Sequence, residues 1–265
     1  MALWTAIHGF ATEHSSIARL VGLGIVGGVM VLLFRTLFNA RKIQPNGFKW
    51  KTLRNEVIFA ITFGALTGYF IGFLTSTLNH FGLIEFKTGP ASWWVVALEY
   101  ALYFFAFDTW FYWMHRLMHK EPMYTLVHKI HHLSTSPSAM TTFSVNPLES
   151  LINGGFVSVF TAVVTVHHST MALIVPTNVI MGVYVHLGYE FFPRWWHKSL
   201  ATKWFITTTF HDQHHRYFTF NYGGYTTIWD RICGTIRPKF EVDFDKLKAR
   251  LAKPREPIPL PARQQ

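Results

Sequence analysis

The chain contains little cysteine and little charge, and both shortages limit the kind of protein it can be. Cys233 is the only cysteine among 265 residues, which excludes a disulfide framework and zinc sites built from thiolates. Charged residues make up 14% of the chain, against about 25% in ordinary soluble domains. Because 50% of the residues are hydrophobic, the composition indicates an integral membrane protein.

Acidic residues are the scarcer charged type, 14 against 24 lysines and arginines, and the formal net charge is +10. A basic surplus can indicate nucleic-acid binding, but here the basic residues lie between and after the hydrophobic runs rather than along one recognition element. Cytoplasmic loops and anionic lipid headgroups explain their positions better, so we predict no nucleic-acid partner.

The N-terminal stretch lacks the basic start and the small-residue cleavage site of a secretory signal. We therefore expect the first apolar segment, residues 17–38, to be kept as a membrane anchor. Its glycines match the dinucleotide fingerprint GxGxxG, but no predicted strand precedes the match and no acidic residue follows at the required distance. These glycines are better interpreted as a helix-packing face.

Long apolar runs predict five membrane crossings. Residues 17–38, 57–78 and 93–114 are each long enough to span a bilayer as one helix. Residues 150–185 carry no formal charge and are interpreted as two short spanning helices, with a re-entrant hairpin as the competing interpretation. The positive-inside rule places the basic loop 38–56 in the cytoplasm. The predicted fold class is all-α, an integral-membrane helical bundle with a histidine-rich helical cap on the cytoplasmic side.

Histidine is abundant and regularly spaced. Residues 115–132 read HRLMHKEPMYTLVHKIHH, and residues 211–215 read HDQHH. If these segments are helical, residues three or four apart share a face, so each segment directs its imidazoles into one volume. Neutral imidazole binds zinc, iron, copper and nickel well, and one zinc ion takes only four ligands, so eight or more histidines point to two metals. His167 and His168 fall at the far end of the predicted hairpin and are left out of this site.

Two carboxylates lie close to the histidines in the sequence pattern. Asp108 is two helical turns before His115 and so on the same face, where it can orient a ligand imidazole. A simple interhelical hydrogen bond is an equally good interpretation of this carboxylate. Glu190 is four residues after His186, so both side chains can face the histidine cluster.

At these residues the chain resembles the fatty acid hydroxylase and sterol desaturase superfamily of membrane di-iron enzymes. The similarity extends over most of residues 95–237 and depends on the order and number of its motifs. The matching segments are DTWFYWMHRLMH (108–119), HKIHH (128–132), NPLE (146–149), His186 with the Gly-Tyr-Glu that follows it, HDQHH (211–215) and NYGGYTTIWDRICGT (221–235).

The resemblance implies two iron ions as the cofactor, O2 as co-substrate, and hydroxylation or desaturation of a C–H position of a sterol-like, fatty-acyl or sphingoid lipid. Electrons would come from an external donor, a ferredoxin or cytochrome b5 with its reductase. Where some members have a further histidine this chain has Glu190, so the tenth ligand is Glu190, a water or nothing. The implied metal ligands are His115, His119, His128, His131, His132, His186, His211, His214 and His215, with Asp108 and Glu190 as candidate catalytic carboxylates behind them.

The same resemblance predicts the domain organisation. Residues 1–92 are expected to form N-terminal membrane anchor helices and a cytoplasmic loop. Residues 93–237 would be the fatty acid hydroxylase-type di-iron catalytic domain, with its metal site at the cytoplasmic face. Residues 238–265 would be a basic, proline-rich tail.

Two other protein classes fit the histidine pattern less well. A membrane zinc hydrolase needs about three protein ligands and an open position, so eight histidines are more than it requires. A metal carrier would place its ligands near the bilayer midplane, whereas all of these reach one membrane face. Soluble di-iron bundles use Glu-x-x-His sets, and the sequence contains none. Hydroxylation and desaturation both begin with hydrogen abstraction, so both stay open.

Overall fold

The computed structural model describes residues 28–253, which are mostly helical, as predicted. A single pair of parallel two-residue strands is the exception within that range, with Phe86 beside Val166. The elements are α1 (Gly28–Leu37), α2 (Trp50–His80), β1 (Phe86–Lys87), α3 (Trp93–Met118), α4 (Pro147–Gly154), α5 (Phe156–Val163), β2 (Val166–His167), α6 (His168–His186), α7 (Thr208–Tyr217), α8 (Ile228–Ile232) and α9 (Phe240–Ala252).

Among the described residues, α2 and α6 are long and apolar enough to cross a membrane. Their apolar side chains are largely exposed, for example Phe73 on α2 and Ile180 on α6, each at 63%. Helix α2 contains the predicted span 57–78 but begins at Trp50, so the predicted loop 38–56 is too long. Lys51, Leu53 and Arg54 favour helix at this end of α2. The long basic side chains among them can extend from the helix to the lipid headgroups.

The other predicted spans agree less closely with the structure. Residues 17–27 lie outside the described residues, and the rest of the first predicted span is helical as α1. Helix α3 continues one turn beyond the predicted 93–114. The uncharged run 150–185 forms α4, α5 and α6, with breaks at Gly155 and at residues 164–167. Helices α4 and α5 pack on α2, while α6 packs on α3.

A buried aromatic core holds α3, α5 and α6 together. The rings of Tyr103 and Phe160 meet edge to face with centroids 5.2 Å apart, and Phe107 and Ile174 complete the cluster. Such offset and edge contacts add to the stabilisation from burial. This core extends to the apolar side chains beside the histidines, since Phe107 contacts Phe111 and Phe111 contacts His115.

The carboxylate of Glu56 anchors the segment that follows the second histidine box. It is 2% exposed and accepts hydrogen bonds from the hydroxyls of Ser134, Ser138 and Thr141 at 2.6 to 2.7 Å. Because a buried carboxylate needs such donors, this contact fixes the segment against α2 in one position.

We expect Glu56→Gln to lower the free energy of unfolding by about 1 to 3 kcal/mol, because an amide N–H then faces hydroxyls that need an acceptor. Thermal unfolding of the protein in detergent measures the effect. Glu85→Gln is the matched control, since Glu85 is exposed and its replacement should change stability by less than about 0.5 kcal/mol. Equal effects of the two substitutions would contradict the anchoring role.

Candidate metal centre

Nine histidines from four segments converge at one end of the bundle, and they are the nine that the sequence predicted. The end of α3, the irregular segment 124–133, the end of α6 and helix α7 contribute them. His167 and His168 belong to neither histidine group, and His167 instead contacts Glu99 through its Nδ1 at 2.9 Å.

The histidines form two adjoining groups, and the ligand nitrogens within each lie within 4.8 Å of one another. The groups touch, since the ring centroids of His132 and His215 are 4.7 Å apart. Two metal ions could therefore lie side by side. The first group is His115, His119, His128, His132 and His214; the second is His131, His186, His211 and His215.

Each HxxHH box is divided between the two groups, whereas the sequence predicted that each would present one common face. In the box 128–132 the first and last histidines join the first group and His131 joins the second; in 211–215 the division is reversed. On a helix, position i+4 is rotated by about 40° from position i, and position i+3 is rotated by about 60° in the opposite direction. A box that faces the boundary between two sites therefore supplies both.

The segment 115–132 is not one helix. Helix α3 ends at Met118, and the chain continues through a π-helical turn (Tyr124–His128) and a 3₁₀ turn (His131–Leu133). These irregular turns are held partly by the Glu56 contact, and they place His128 and His132 in the same group.

Adjacent ligand nitrogens are spaced as in a metal site with more than four ligands. Two nitrogens about 2.1 Å from a metal lie about 3.0 Å apart at a right angle and about 3.4 Å apart at a tetrahedral angle. The observed separations therefore fit five or six ligands better than tetrahedral zinc. The Nε2–Nε2 distances are 3.0 Å for His115–His128 and His128–His132, 3.1 Å for His119–His214 and His132–His214, 3.2 Å for His131–His186 and 2.9 Å for His186–His211.

Backbone carbonyls determine which ring nitrogens carry protons. Nδ1 of His115 lies 2.8 Å from the carbonyl oxygen of Tyr222, and Nδ1 of His214 lies 2.7 Å from that of Phe220. Because a carbonyl only accepts, Nδ1 carries the proton and Nε2 points its lone pair into the first group. The lone pairs of both rings repel unless a cation lies between them, so the donor set fits a bound metal ion.

Burial favours the neutral form of these rings. Burial first, and neighbouring histidines second, lower the pKa of His211, His214 and His215 well below the ordinary value. Neutral imidazole is the form that binds metals, so no proton has to leave these rings at neutral pH.

Glu149 contacts His128, and the sequence did not predict it as a site residue. Its Oε2 lies 2.9 Å from Nδ1 of His128, although the angle falls short of a good hydrogen bond. Glu149 stands in the first turn of α4, which Asn146 caps by accepting from the amide of Leu148. The NPLE motif was the available signal, but only the tertiary contact shows which histidine the carboxylate reaches.

We expect Glu149→Leu to weaken iron(II) binding about 10- to 100-fold, because carboxylates behind ligand imidazoles fix their orientation and basicity. Titration against a competing chelator measures the affinity. Glu121→Leu is the control, since Glu121 is exposed and lies just before the irregular segment 124–133 that carries His128. Unchanged affinity in Glu149→Leu would show that the contact has no such role.

Asp108 contacts a loop rather than an imidazole. It accepts hydrogen bonds from the backbone amides of Tyr225 and Thr226, at 3.0 and 2.8 Å, and from the Thr226 hydroxyl. This is neither a contact with an imidazole nor the interhelical hydrogen bond of the alternative interpretation, because residues 225 and 226 precede α8. The same loop presents the Tyr222 carbonyl to His115, so Asp108 influences the ligand only through the loop.

Glu190 lies outside both histidine groups. Helix α6 ends at His186, and Gly188, at φ +73°, turns the chain so closely past Pro137 that a Cβ would lie 2.8 Å from its carbonyl oxygen. Glu190 instead accepts from the amide and hydroxyl of Thr209, at 3.1 and 2.6 Å. A carboxylate in this position stabilises the N-terminus of α7, which carries the third box.

An apolar cavity of about 410 Å³ opens on both histidine groups. This volume lies in the range of sites for small ligands, about 300 to 1,000 Å³. Helices α2, α3, α4 and α6 form its walls, and Phe107, Phe111 and Val185 are among the apolar side chains that line it. The histidines exposed to the cavity are His115 and His128 of the first group and His131, His186 and His211 of the second.

Fold and site together define a helical protein in which two adjoining histidine groups lie beside an apolar cavity. The sequence profile of the fatty acid hydroxylase family matches residues 100–235. The chain belongs to this family, within the predicted fatty acid hydroxylase and sterol desaturase superfamily.

Curated relatives match about half of the chain, and the chain spans less than half of the length of the three named below. Methylsterol monooxygenase 1 of Danio rerio is 35% identical over 128 residues, 48% of this chain and 43% of that protein. Methylsterol monooxygenase erg25A of Aspergillus fumigatus is 33% identical over 140 residues, 51% of this chain and 45% of its own length. Human cholesterol 25-hydroxylase is 33% identical over 132 residues, which are 49% of this chain and 44% of that protein. No solved structure matches the chain.

Proposed function

We propose that the protein is an O2-dependent di-iron oxidoreductase of the membrane that hydroxylates or desaturates a C–H position of a lipid. The observation that carries this proposal is the arrangement of nine histidines in two adjoining groups that open on an apolar cavity. Family membership supports it, as do relatives whose names describe oxidation of sterols.

The first histidine group would hold one iron ion and the second group the other. Together two irons supply the electron transfer that activates O2 beside a C–H bond. The spacing of the nitrogens and their inward lone pairs support this assignment over a tetrahedral zinc hydrolase.

The chain's own residues bind and orient the lipid. Apolar side chains from four helices exclude water from the cavity, which protects a reactive site from side reactions. The carbon that the cavity presents to the histidine groups determines the product. Carbonyls of residues 220 and 222 keep two of the ligand rings in place while the lipid binds.

The proposed enzyme lies in the membrane with its metal site at the cytoplasmic face. Helices α2 and α6 support the membrane assignment, and the basic residues around α1 and α2 support the orientation. Electrons would reach the site from a separate ferredoxin or cytochrome b5 with its reductase. In this proposal residues 1–92 anchor the protein, 93–237 carry catalysis and 238–265 form a basic tail.

Substrate-driven O2 uptake tests the proposal. Iron-loaded protein in lipid nanodiscs, supplied with reductant and a sterol mixture, is expected to consume O2 and to yield a product 16 Da heavier, or 2 Da lighter, than its substrate. Product formation under argon would instead indicate a hydrolase. Absence of turnover with sterol, fatty-acyl and sphingoid lipids alike would overturn the proposal.

A further inference from the structure

The apolar cavity ends at a small polar cluster on α6 and the neighbouring loop. Asn178 and Tyr225 both line the cavity, and the buried Tyr103 lies behind them. The Tyr103 hydroxyl lies 3.0 Å from Oδ1 of Asn178, and the Tyr225 hydroxyl donates to the same oxygen. Polar side chains within a spanning helix are costly, so a cluster at the end of a greasy cavity requires an explanation.

The cluster leaves one donor and one acceptor for a ligand. Oδ1 of Asn178 accepts from the tyrosines, and its Nδ2 donates to the Tyr103 hydroxyl at 2.6 Å. An amide has two N–H groups, so one remains, and the Tyr225 hydroxyl keeps a lone pair. Within residues 28–253 no further hydrogen bond is found for either group. A hydroxyl group both accepts and donates, so it matches this pair.

The charge of the cavity lining excludes an ionic ligand at this end. Among the described residues that line it there is no lysine or arginine, and Glu149, its one acid, contacts His128 at the histidine end. A carboxylate or phosphate buried beside Asn178 would have no counter-charge, and its desolvation would cost several kcal/mol. The buried polar group of the ligand must therefore be neutral.

Helix geometry gives the distance between this cluster and the metal site. Asn178 precedes His186 by eight residues on α6, or about 12 Å along its axis. Both side chains line the same cavity, so a ligand held at one end reaches the other.

We propose that Asn178 and Tyr225 bind the hydroxyl group of a neutral lipid and thereby present to the histidines a carbon distant from that hydroxyl. This inference rests on the proposed function, because it names the class of lipid that the enzyme oxidises. It also makes these residues specificity determinants: they position the lipid and do not take part in the chemistry.

Competition binding to the full chain in nanodiscs tests the proposal. Displacement of radiolabelled cholesterol is measured with cholesterol and with cholest-5-ene, which has the same carbon skeleton without the hydroxyl. The wild type is expected to prefer cholesterol about tenfold, because the sterol without a hydroxyl leaves the buried N–H of Asn178 and the Tyr225 hydroxyl unpaired. Asn178→Leu, and separately Tyr225→Phe, should reduce the preference to about twofold or less.

Tyr100→Phe is the matched control. Tyr100 bridges α3 and α6 through the Thr177 hydroxyl at 2.9 Å, but it does not line the cavity, so the tenfold preference should remain. The inference would be overturned if the wild type bound both sterols equally well or bound neither of them saturably. It would also be overturned if both cavity variants kept the full preference for cholesterol. The binding assay does not require turnover, so the two proposals can fail separately. A preference for cholesterol without O2 uptake would refute only the oxygenase proposal. O2 uptake without a preference for cholesterol would refute only this inference.

Discussion

His131→Ala is expected to lower lipid oxidation at least about a thousandfold, as removal of a central catalytic group commonly does. His131 is one of four histidines in the second group, and its Nε2 lies 3.2 Å from that of His186. It also faces the apolar cavity, so its loss opens the metal site on the side where the lipid lies. Three histidines remain in that group, and we expect the iron content to fall from two to about one per chain.

Product yield and bound iron are measured on the same preparation of His131→Ala. His80→Ala is the matched control, because His80 is exposed at the end of α2 and belongs to neither group. The control should keep wild-type turnover and both metal ions. Full iron content and turnover in His131→Ala would remove His131 from the site.

Chelation of the metal is expected to lower the stability of the protein strongly. Nine histidines, eight of them buried, direct ring nitrogens at two small volumes, and without cations the lone pairs that face one another repel. A metal present at about a thousand times its dissociation constant stabilises the folded state by about 4 kcal/mol. Its removal should lower the midpoint of thermal unfolding by about 8 to 16 °C.

Thermal unfolding of chelated and iron-loaded samples measures this difference. Iron(II) added back in excess of the chelator should restore the midpoint, which separates metal loss from damage by the chelator. Identical midpoints for the chelated and loaded protein would contradict a metal-stabilised site.

The chelated protein should also lose stability at mildly acidic pH. Burial lowers the pKa of His211, His214 and His215 in the folded state, while the unfolded chain binds protons near the ordinary value, about 6.5. The unfolded state therefore binds more protons below that pH, and stability falls as the pH drops from about 7 to about 5. Unfolding midpoints across this range test the sign, and a rise in stability toward pH 5 would contradict it.

The histidine cluster could be anticipated because spacing places the histidines of 115–132 and 211–215 on common helix faces, while the full set of nine, with His186, was implied by the family resemblance. Histidines three and four residues apart lie on neighbouring helical positions, and all nine predicted ligands fall in the two groups. Their division between the groups could not be predicted, because it depends on where the two groups lie relative to each box, which spacing along the chain does not give. The helical fold class followed from the same periodic patterns.

Carboxylates were harder to place because their partners come from distant parts of the chain. Glu149 meets a histidine 21 positions earlier, and Glu56 meets hydroxyls about 80 positions later. Helical spacing suggested that Glu190 faces the cluster, but the turn at Gly188 directs it to α7. Local periodicity cannot show contacts that depend on how separate segments pack.

The metal content of freshly purified protein tests the central claim most directly. If two histidine groups each hold one ion, elemental analysis should find close to two iron atoms per chain and little zinc. Less than one equivalent of bound transition metal, or one equivalent of zinc alone, would contradict a two-metal site built from these nine histidines.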